Sequence, residues 1–489
     1  MEAVGCRELR QGAAGPGRRD HARSRPRALP EGAGGRGVRG LMLREEAKAK
    51  LDQAISLARG AEVEVMLGGG SDALTRFANN EITQNVEERR YLLSVRIVEG
   101  KRTGRATGND LSPKGMAQLI ERAKEATRHQ PEIPELLPLP GPQTYRTVDA
   151  LDPETERLSA DARAREVGKA VTRCREAGLE GAGIYEVRAG TIGDYGEIGP
   201  LAIANSRGLF AYHEGTSAEF LVSALDGTAS GWAGYESHSA RGVDGGALSS
   251  RAVEKALRSR EPKPWDPGRY TVVLEPAAVA DLLQDMSWIS FGALLVQEGR
   301  SFLSGKIGRK VMGENITIRD DPFHPLHRGS PFDAEGMPTL PTTIIERGVA
   351  KSAVYDRQTA AKEGRESTGH GLPVPNTYGP IARHLVLEGG SGGVEDLVRR
   401  VDRGLLVTRV WYTNVVDPKT VTLTGMTRDG LFAIEKGKVT HGVRNFRFNQ
   451  SVVQMLNEVE ATSAQESSGG VVCPGLLVHG FQMSSATEF

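Results

Sequence analysis

The histidines and carboxylates are the side chains of this sequence that could hold a metal or move a proton. His324 and His327 are three residues apart, a spacing that could offer two imidazoles to one ion. Pro322 and Pro325 disfavour a helix there, so both histidines are predicted to lie in a loop. Because two imidazoles alone seldom make a metal site, the sequence favours two ordinary loop residues over metal ligands.

His370 and His479 are two further candidate site residues. His370 lies between Gly369 and Gly371 in a polar loop, where a lone histidine is usually a hydrogen-bonding residue. His479 alternates with apolar residues and is predicted to belong to a strand. Neither position by itself indicates catalysis.

The carboxylates and candidate nucleophiles give equally ordinary predictions. Asp320, Asp321, Asp333 and Glu335 stand among turn residues, which favours turn and capping roles over a general acid and base pair. Ser467 and Ser468 precede two glycines without the Gly-x-Ser-x-Gly elbow. Cys473 stands beside a proline in an apolar run, where a thiol is usually inert.

The strand and helix predicted around 271–304 are one of several motifs that follow each other along the chain. The apolar run 271–274 leads through Glu275 and Pro276 into a helical pattern that extends toward Ser304. Other landmarks occur in a fixed order along the chain: 75–85, 95–97 with 103–104, 320–322, 329–336 with 338–339, 376–378 and 431–439. From about Met42 to the C-terminus, this ordered set resembles the TldD/PmbA family of metallopeptidases and DNA gyrase modulators.

The resemblance implies where a zinc site would stand. In the catalytic subunit of the family, a helix carries His-Glu-x-x-x-His and a glycine-rich C-terminal segment adds a cysteine. Counting from both ends of the helical region places Gln284, Asp285 and Ile289 at those helix positions. The corresponding C-terminal segment, 463–472, contains no cysteine. An amide and an aliphatic chain cannot hold such an ion, so the sequence resembles the TldE/PmbA-like subunit.

The resemblance also implies partners and substrates. A non-catalytic subunit would contain no cofactor, and zinc would be held by a TldD-like partner in a heterodimer, although a homodimer is also possible. Short or unfolded polypeptides are the implied substrates, inside a chamber whose candidate lining includes Arg365, His370 and Asn376. Two alternatives are open: a metallopeptidase with ligands from His324, His327 or His370, and a binding protein without catalysis, like a gyrase modulator.

Composition excludes several classes of function. The 62 basic and 62 acidic residues cancel, so no overall field draws the chain to nucleic acid or an anionic membrane. Three widely spaced cysteines offer neither a disulfide framework nor a metal knuckle, which favours the cytoplasm. Apolar runs are too short to cross a bilayer. Direct binding to DNA is therefore not expected.

The chain is too long for one core and is predicted to form several domains. The predicted domains are a disordered arginine- and glycine-rich extension at 1–41, an α/β domain at 42–130, a middle α/β region at 145–260 and a β-rich domain at 269–489. Translation is predicted to start at Met42, although the extension could also be a transit peptide or a nucleic-acid tail. The fold class is α+β: a mixed α/β N-terminal region precedes a mostly antiparallel, barrel- or sandwich-like C-terminal domain.

Two local predictions concern the N-terminal strands. The glycines of 68–72 suggest a turn rather than a phosphate loop, because no Lys-Ser/Thr ending follows them. The runs 82–85 and 91–98 are predicted to be separate strands, divided by a charged turn. The strongest linker signal, 261–268, is rich in proline and places the main domain boundary.

Overall fold

Two large sheets organise the computed structural model, which describes residues 41–190, 201–227 and 229–486. The predicted extension lies outside the described residues except for Leu41, which is buried. The first sheet is antiparallel in the order β3-β2-β1-β4-β7-β8, and β5 pairs with β1 and β6. Its strands are β1 Glu62–Ala78, β2 Glu81–Glu99, β3 Arg102–Gly108, β4 Glu180–Gly190, β5 Ala202–Asn205, β6 Phe210–Tyr212, β7 Gly215–Asp226 and β8 Ala229–Ser237.

Helices cover this first sheet in two groups. They are α1 Arg44–Leu57, α2 Pro113–His129, α3 Pro153–Glu156, α4 Ala160–Glu176 and α5 Gly245–Arg258, with a 3-10 turn at Ala240–Gly242. One core lies between α1, α2 and β1–β3, and another between α4, α5 and strands β4, β7 and β8. Ser112 caps α2 by accepting from Gly115 N over 3.1 Å, and Pro113 occupies its first turn.

The second sheet builds the C-terminal part of the chain. Its order is β12-β11-β10-β13-β19-β17-β15-β14-β9, and the last strand, β9, also pairs with β19 in the middle of this order. Only β13 with β19 and β14 with β9 are parallel among its ladders. The strands are β9 Gly268–Leu274, β10 Ile318–Asp320, β11 Thr342–Glu346, β12 Val349–Ala350, β13 Leu385–Leu387, β14 Arg403–Asp417, β15 Thr422–Glu435, β16 Lys438–Gly442, β17 Phe446–Ser451, β18 Val459–Ser468 and β19 Val471–Ala486.

Five helices accompany the second sheet: α6 Pro276–Ser290, α7 Ala293–Gln297, α8 Arg357–Lys362, α9 Val394–Val398 and α10 Val452–Asn457. The largest core surrounds α6, whose Leu282, Leu283 and Met286 are fully buried against the strands. Within 41–190, 201–227 and 229–486, no helix is both long and apolar enough to cross a membrane. The predicted α+β class, with a mixed N-terminal region and a β-rich C-terminal part, is confirmed.

Two local predictions were wrong, and both errors lie in the first hairpin. The glycines at 68–70 continue β1 instead of forming a turn, with Gly69 at φ 119°. A Cβ on Gly69 would stand 2.0 Å from the carbonyl oxygen of Arg90, so the close approach of β2 requires glycine. The charged segment is likewise strand, because β1 pairs with β2 from Glu62 to Ala78 and holds those residues extended.

A buried ion-pair network ties this hairpin to its surroundings. Glu64 is almost fully buried, and its two oxygens lie 2.6 Å from Arg105 Nη2 and 3.5 Å from Arg96 Nη1. Arg96 also donates to Thr103 Oγ1 over 2.9 Å. Arg105 donates to the carbonyl oxygen of Val374 over 2.7 Å, so one carboxylate supports a contact between the N-terminal sheet and the C-terminal part.

Candidate functional site

Helix α6 presents one polar row along an otherwise buried surface. Pro276 occupies its first turn, directly after β9, and fixes where the helix begins. The helical repeat places Ala277, Asp281, Gln284 and Trp288 along one face, and each of them is at least partly exposed. The residues of the opposite face are buried in the core.

A cavity of about 200 Å³ lies beside this row, between the first sheet and the C-terminal part. Strand β8 and helix α5 supply one wall, and α6 supplies another with the small side chains of Ala277 and Ala280. Strand β18 closes it through its last residues. The charged lining residues are Glu219, Glu236, Arg251, Lys255, Glu275, Asp281, Arg409 and Glu466, with Trp232 and Tyr235 as aromatic walls.

The glycine turn between β18 and β19 meets helix α6 at this cavity. Gly469 and Gly470 both have positive φ, 53° and 73°, as a two-residue hairpin turn requires. The side-chain amide of Gln284 donates to the carbonyl oxygen of Gly469. Gly470 N donates to Glu236 Oε2 over 3.0 Å, which fixes the turn against β8. Gln284 of helix α6 and the glycine-rich C-terminal segment are therefore neighbours in space.

The donor set at this junction does not fit zinc. Gln284 offers a neutral amide already engaged by backbone, and Ile289 offers no donor. Asp285 is the single carboxylate of the three, and burial raises its pKa although Thr413 donates to it. Cys473 is buried, with its thiol near Pro276 O, and burial raises its pKa well above the usual value. Among the described residues, no three His, Cys, Asp or Glu side chains are arranged to hold a metal.

The cavity nevertheless has unusual electrostatics. Burial raises the pKa of Asp281 to about 6, although the nearby Arg409 opposes the shift. Burial likewise raises the pKa of Glu466. Lys255 Nζ lies 2.6 Å from Glu275 Oε2, which neutralises both groups. A cavity lined by partly buried carboxyl groups suits a polar ligand better than an apolar one.

A second polar centre surrounds Asp320. His370 Nε2 lies 3.0 Å and His384 Nδ1 lies 3.5 Å from Asp320 Oδ1, and His384 N donates to Asp320 Oδ2 over 2.7 Å. Burial alone would raise the pKa of Asp320, but the two imidazoles hold it well below its usual range. Asp320 therefore lies at the end of strand β10 and pairs with two histidine side chains, whereas the sequence predicted a turn residue.

The other candidate histidines join this centre through ring contacts. His327 packs edge-on against His384 with 5.8 Å between ring centroids, and its Nε2 lies 2.8 Å from Leu385 O. Burial lowers the pKa of His327 to about 4, so the ring is neutral at pH 7. His324 lies 6.4 Å from His327 by the same measure. The structure thus links His324, His327 and His384 in a row of neighbouring rings, and His384 and His370 contact Asp320.

The remaining chamber candidates lie elsewhere. Arg365 stacks over the ring of Tyr355 at 5.5 Å and pairs with Glu363. Asn376 accepts hydrogen bonds from the backbone of Tyr378 and Gly379, as a turn residue does. Neither lines the cavity described above, so their role in a chamber stays a prediction.

Asp333 and Glu335 form a fully buried carboxyl pair behind the Asp320 centre. Asp333 accepts from Glu335 N and Met337 N over 2.9 Å, and from Gly371 N over 2.7 Å. Glu335 accepts from Arg357 N over 3.0 Å. Burial, with repulsion from Asp333, raises the pKa of Glu335 to about 8, and burial raises that of Asp333 to about 6. The contacts of Asp333 with Glu335 N and Met337 N are those of the turn residue predicted from sequence.

This pair predicts how stability depends on pH. Because the pKa of Glu335 is higher folded than unfolded, the folded state holds a proton that the unfolded state releases between about pH 4.5 and 8. Stability should therefore fall as pH rises through this window, by at most about 1.4 kcal/mol per pH unit for one proton. In Glu335→Gln that slope should shrink, measured by urea unfolding at several pH values. An unchanged slope would contradict the assignment; exposed Glu366→Gln is the control.

Comparison with known proteins covers most of the described chain. Three family models match in order: PmbA/TldA metallopeptidase domain 1 over residues 63–127, the central domain over 148–260 and the C-terminal domain over 267–485. Together they include every element that lines the cavity.

Relatives of known sequence are distant. The chain is 26% identical over 407 residues to an uncharacterized protein of Methanocaldococcus jannaschii. This match covers 80% of this chain and 88% of that protein. It is also 26% identical over 228 residues to a metalloprotease of Methanothermobacter thermautotrophicus, over 46% of this chain and 50% of the relative. The match to this metalloprotease therefore spans about half of its length.

Solved structures share the fold over nearly the whole described chain. TldE from Thermococcus kodakarensis superimposes with a TM-score of 0.77 at 23% identity, over 90% of this chain and 99% of that chain. A Thermotoga maritima protein proposed to modulate a DNA gyrase gives a TM-score of 0.75 at 22% identity, over 89% and 99%. At this identity the likeness demonstrates a common fold.

Proposed function

Because the chain belongs to the TldD/PmbA metallopeptidase family, we propose that it is the non-catalytic, TldE/PmbA-like subunit of a zinc metallopeptidase complex. The observation that carries this proposal is the junction between α6 and the β18–β19 turn. Gln284, Asp285 and Ile289 stand where the family resemblance expects zinc ligands and a general base, and they supply one carboxylate.

The chemistry of hydrolysis would come from the partner chain. Zinc bound there acts as a Lewis acid and lowers the pKa of water, which a site with one carboxylate and an amide cannot do. Gln284 is instead committed to holding the glycine turn through Gly469 O. In this proposal, the helix has kept its position and become a structural support for the cavity wall.

The chain's own contribution is to hold the substrate. Within the described residues, β8 is the last strand of the first sheet, and β18 pairs with no other named strand than β19. The other edge of β18 is occupied at Ser463 and Ala464, which bond to the backbone of Gly390 and Gly392. The edge of β8 and residues 466–468 of β18 therefore have no second partner strand where they line the cavity. An extended peptide can add its backbone to a free edge, which recognises length and conformation more than side chains. A cavity of about 200 Å³ admits only a short part of an extended chain and excludes a folded protein. Short or unfolded polypeptides are the substrates that fit.

The proposed compartment is the cytoplasm. Cys174 and Cys473 are both free and buried, and burial raises the pKa of Cys174 to about 11. Thiols of this kind are typical of proteins from a reducing compartment, where disulfides are rare. The partner and the substrates would then be cytoplasmic as well.

Elemental mass spectrometry of the chain purified alone tests the proposal. After dialysis against a trace chelator, we expect less than about a tenth of an equivalent of zinc, because the site has too few ligands. A family chain with His-Glu-x-x-x-His, purified in the same way, should keep about one equivalent. Zinc near one equivalent in this chain, lost on replacing His327 or His370, would instead show an independent metallopeptidase.

A further inference from the structure

The far end of strand β14 forms an exposed face that the cavity does not explain. Trp411 lies opposite Met426 of β15, and Met426 lies opposite Arg447 of β17. Arg409 lies opposite Arg428 in the same ladder. Because directly opposed residues of antiparallel strands share a side of the sheet, these five residues form one surface, here named the Trp411 face.

Two arginines hold the indole of Trp411 in a solvent-facing position. The guanidinium carbon of Arg428 lies 4.5 Å from the ring centroid of Trp411, and that of Arg409 lies 5.5 Å from it. Arg409 also stacks on Trp232, at 5.1 Å, inside the cavity. Although Trp411 is held on two sides, 44% of it remains exposed. The face is therefore both ordered and directly connected to the cavity.

The residues that follow Trp411 increase the exposed apolar area. Tyr412 is 71% exposed, and Val415 and Val416 are also exposed. Tyr412 has a positive φ of 56°, an unfavourable conformation for a bulky side chain, and such strain is concentrated at functional positions. Strand β14 pairs with β9 only over Leu405–Val407. Beyond it helix α6 lies against β14, where Asp281 accepts from the backbone of Val410 and Asp285 accepts from Thr413. The exposed apolar residues lie outside this covered part, and such a group of residues is typical of an interface.

Charge selects the kind of partner. The Trp411 face carries Arg409, Arg428 and Arg447. Asp429 lies 3.7 Å from Arg409 and 3.6 Å from Arg428, and Asp281 is close to Arg409 on the cavity side. Asp429 is almost fully buried, whereas Arg428 and Arg447 are exposed, so the exposed charge of the face is positive on a chain with no net charge. A second copy in an isologous contact would bring arginines against arginines. An acidic, different chain fits this face better.

We infer that the Trp411 face is the docking surface for the zinc-bearing subunit, through an acidic rim around an apolar centre on that subunit. This inference rests on the proposed function and adds the place and chemistry of the contact. Since Arg409 belongs to both the face and the cavity, a subunit seated there stands beside the cavity and can deliver its own site to a peptide held at β8 and β18.

Binding kinetics test the inference with the full chain and a zinc-bearing family chain from the same genome. Arg428→Glu should slow association about tenfold at low salt and less at high salt, because charges at a rim steer encounter. Trp411→Ala should mainly speed dissociation, because it removes apolar contact area from the face itself. Lys438→Glu is the matched control, since Lys438 is exposed at the opposite end of the β15 ladder.

The outcomes separate the inference from the proposed function. If the wild-type chains bind and both variants bind equally well, with unchanged unfolding temperatures, the face is wrong and the proposed function stands. Loss of a homodimer in Arg428→Glu, seen by sedimentation, would assign the face to a second copy and overturn the inference. If the wild-type chain does not bind the zinc-bearing chain at all, the proposed function fails and takes the inference with it.

Discussion

Replacing Glu64 by glutamine is expected to lower the free energy of unfolding by about 3–5 kcal/mol, the usual cost of removing one partner from a buried ion pair. Glu64 is almost fully buried between Arg96 and Arg105. The substitution keeps the shape of the side chain but leaves two guanidinium groups without a countercharge. Burial already lowers the pKa of Arg105, which shows how poorly this charge is solvated.

Urea unfolding of the Glu64→Gln variant measures this cost, and Glu62→Gln is its control. Glu62 is on the same strand as Glu64, and its carboxylate lies 2.6 Å from Arg207. Because both groups of this ion pair are partly exposed, its loss should lower the free energy of unfolding by less than about 1 kcal/mol. Equal effects from the two substitutions would mean that burial does not set the strength of the Glu64 network. Loss of the Arg105 contact to Val374 should also loosen the C-terminal part, which limited proteolysis would detect.

The sequence predicted elements whose signals are local. The apolar run 271–274 followed by Pro276 predicted β9 and the start of α6, because a strand run and a helix-starting proline act within a few residues. The charged residues of β2 were misread as a turn. Their extended conformation comes from pairing with β1 along its full length, and local propensity carries no trace of that pairing.

The candidate site was harder to predict because its parts come from distant segments. The Asp320 centre depends on His384, 64 positions away, whereas the residues next to Asp320 in sequence indicate only a turn. The cavity joins Trp232, Asp281 and Glu466 from three elements with no sequence signal in common. Only the family resemblance indicated that α6 and the glycine-rich segment would meet, and the contact from Gln284 to Gly469 shows them adjacent.

The assembled complex should respond very differently to matched substitutions in its two chains. Replacing the glutamate of His-Glu-x-x-x-His in the zinc-bearing subunit removes the general base and should lower kcat by roughly 10²–10⁴-fold. Asp285→Asn, at the corresponding helix position of this chain, should change kcat by no more than about twofold, because no metal-bound water is expected there. A large effect in the zinc-bearing chain and a small effect in this chain are what a non-catalytic subunit predicts.

The most direct measurement is therefore the hydrolysis of an unfolded, fluorescently labelled peptide by three samples: this chain alone, the zinc-bearing chain with it, and the same mixture containing Asp285→Asn. We expect no cleavage by this chain alone, cleavage by the mixture, and nearly the same kcat with Asp285→Asn. Chelator-sensitive cleavage by this chain alone, or loss of the mixture's activity with Asp285→Asn, would show that the chain has a catalytic site of its own and would contradict the account.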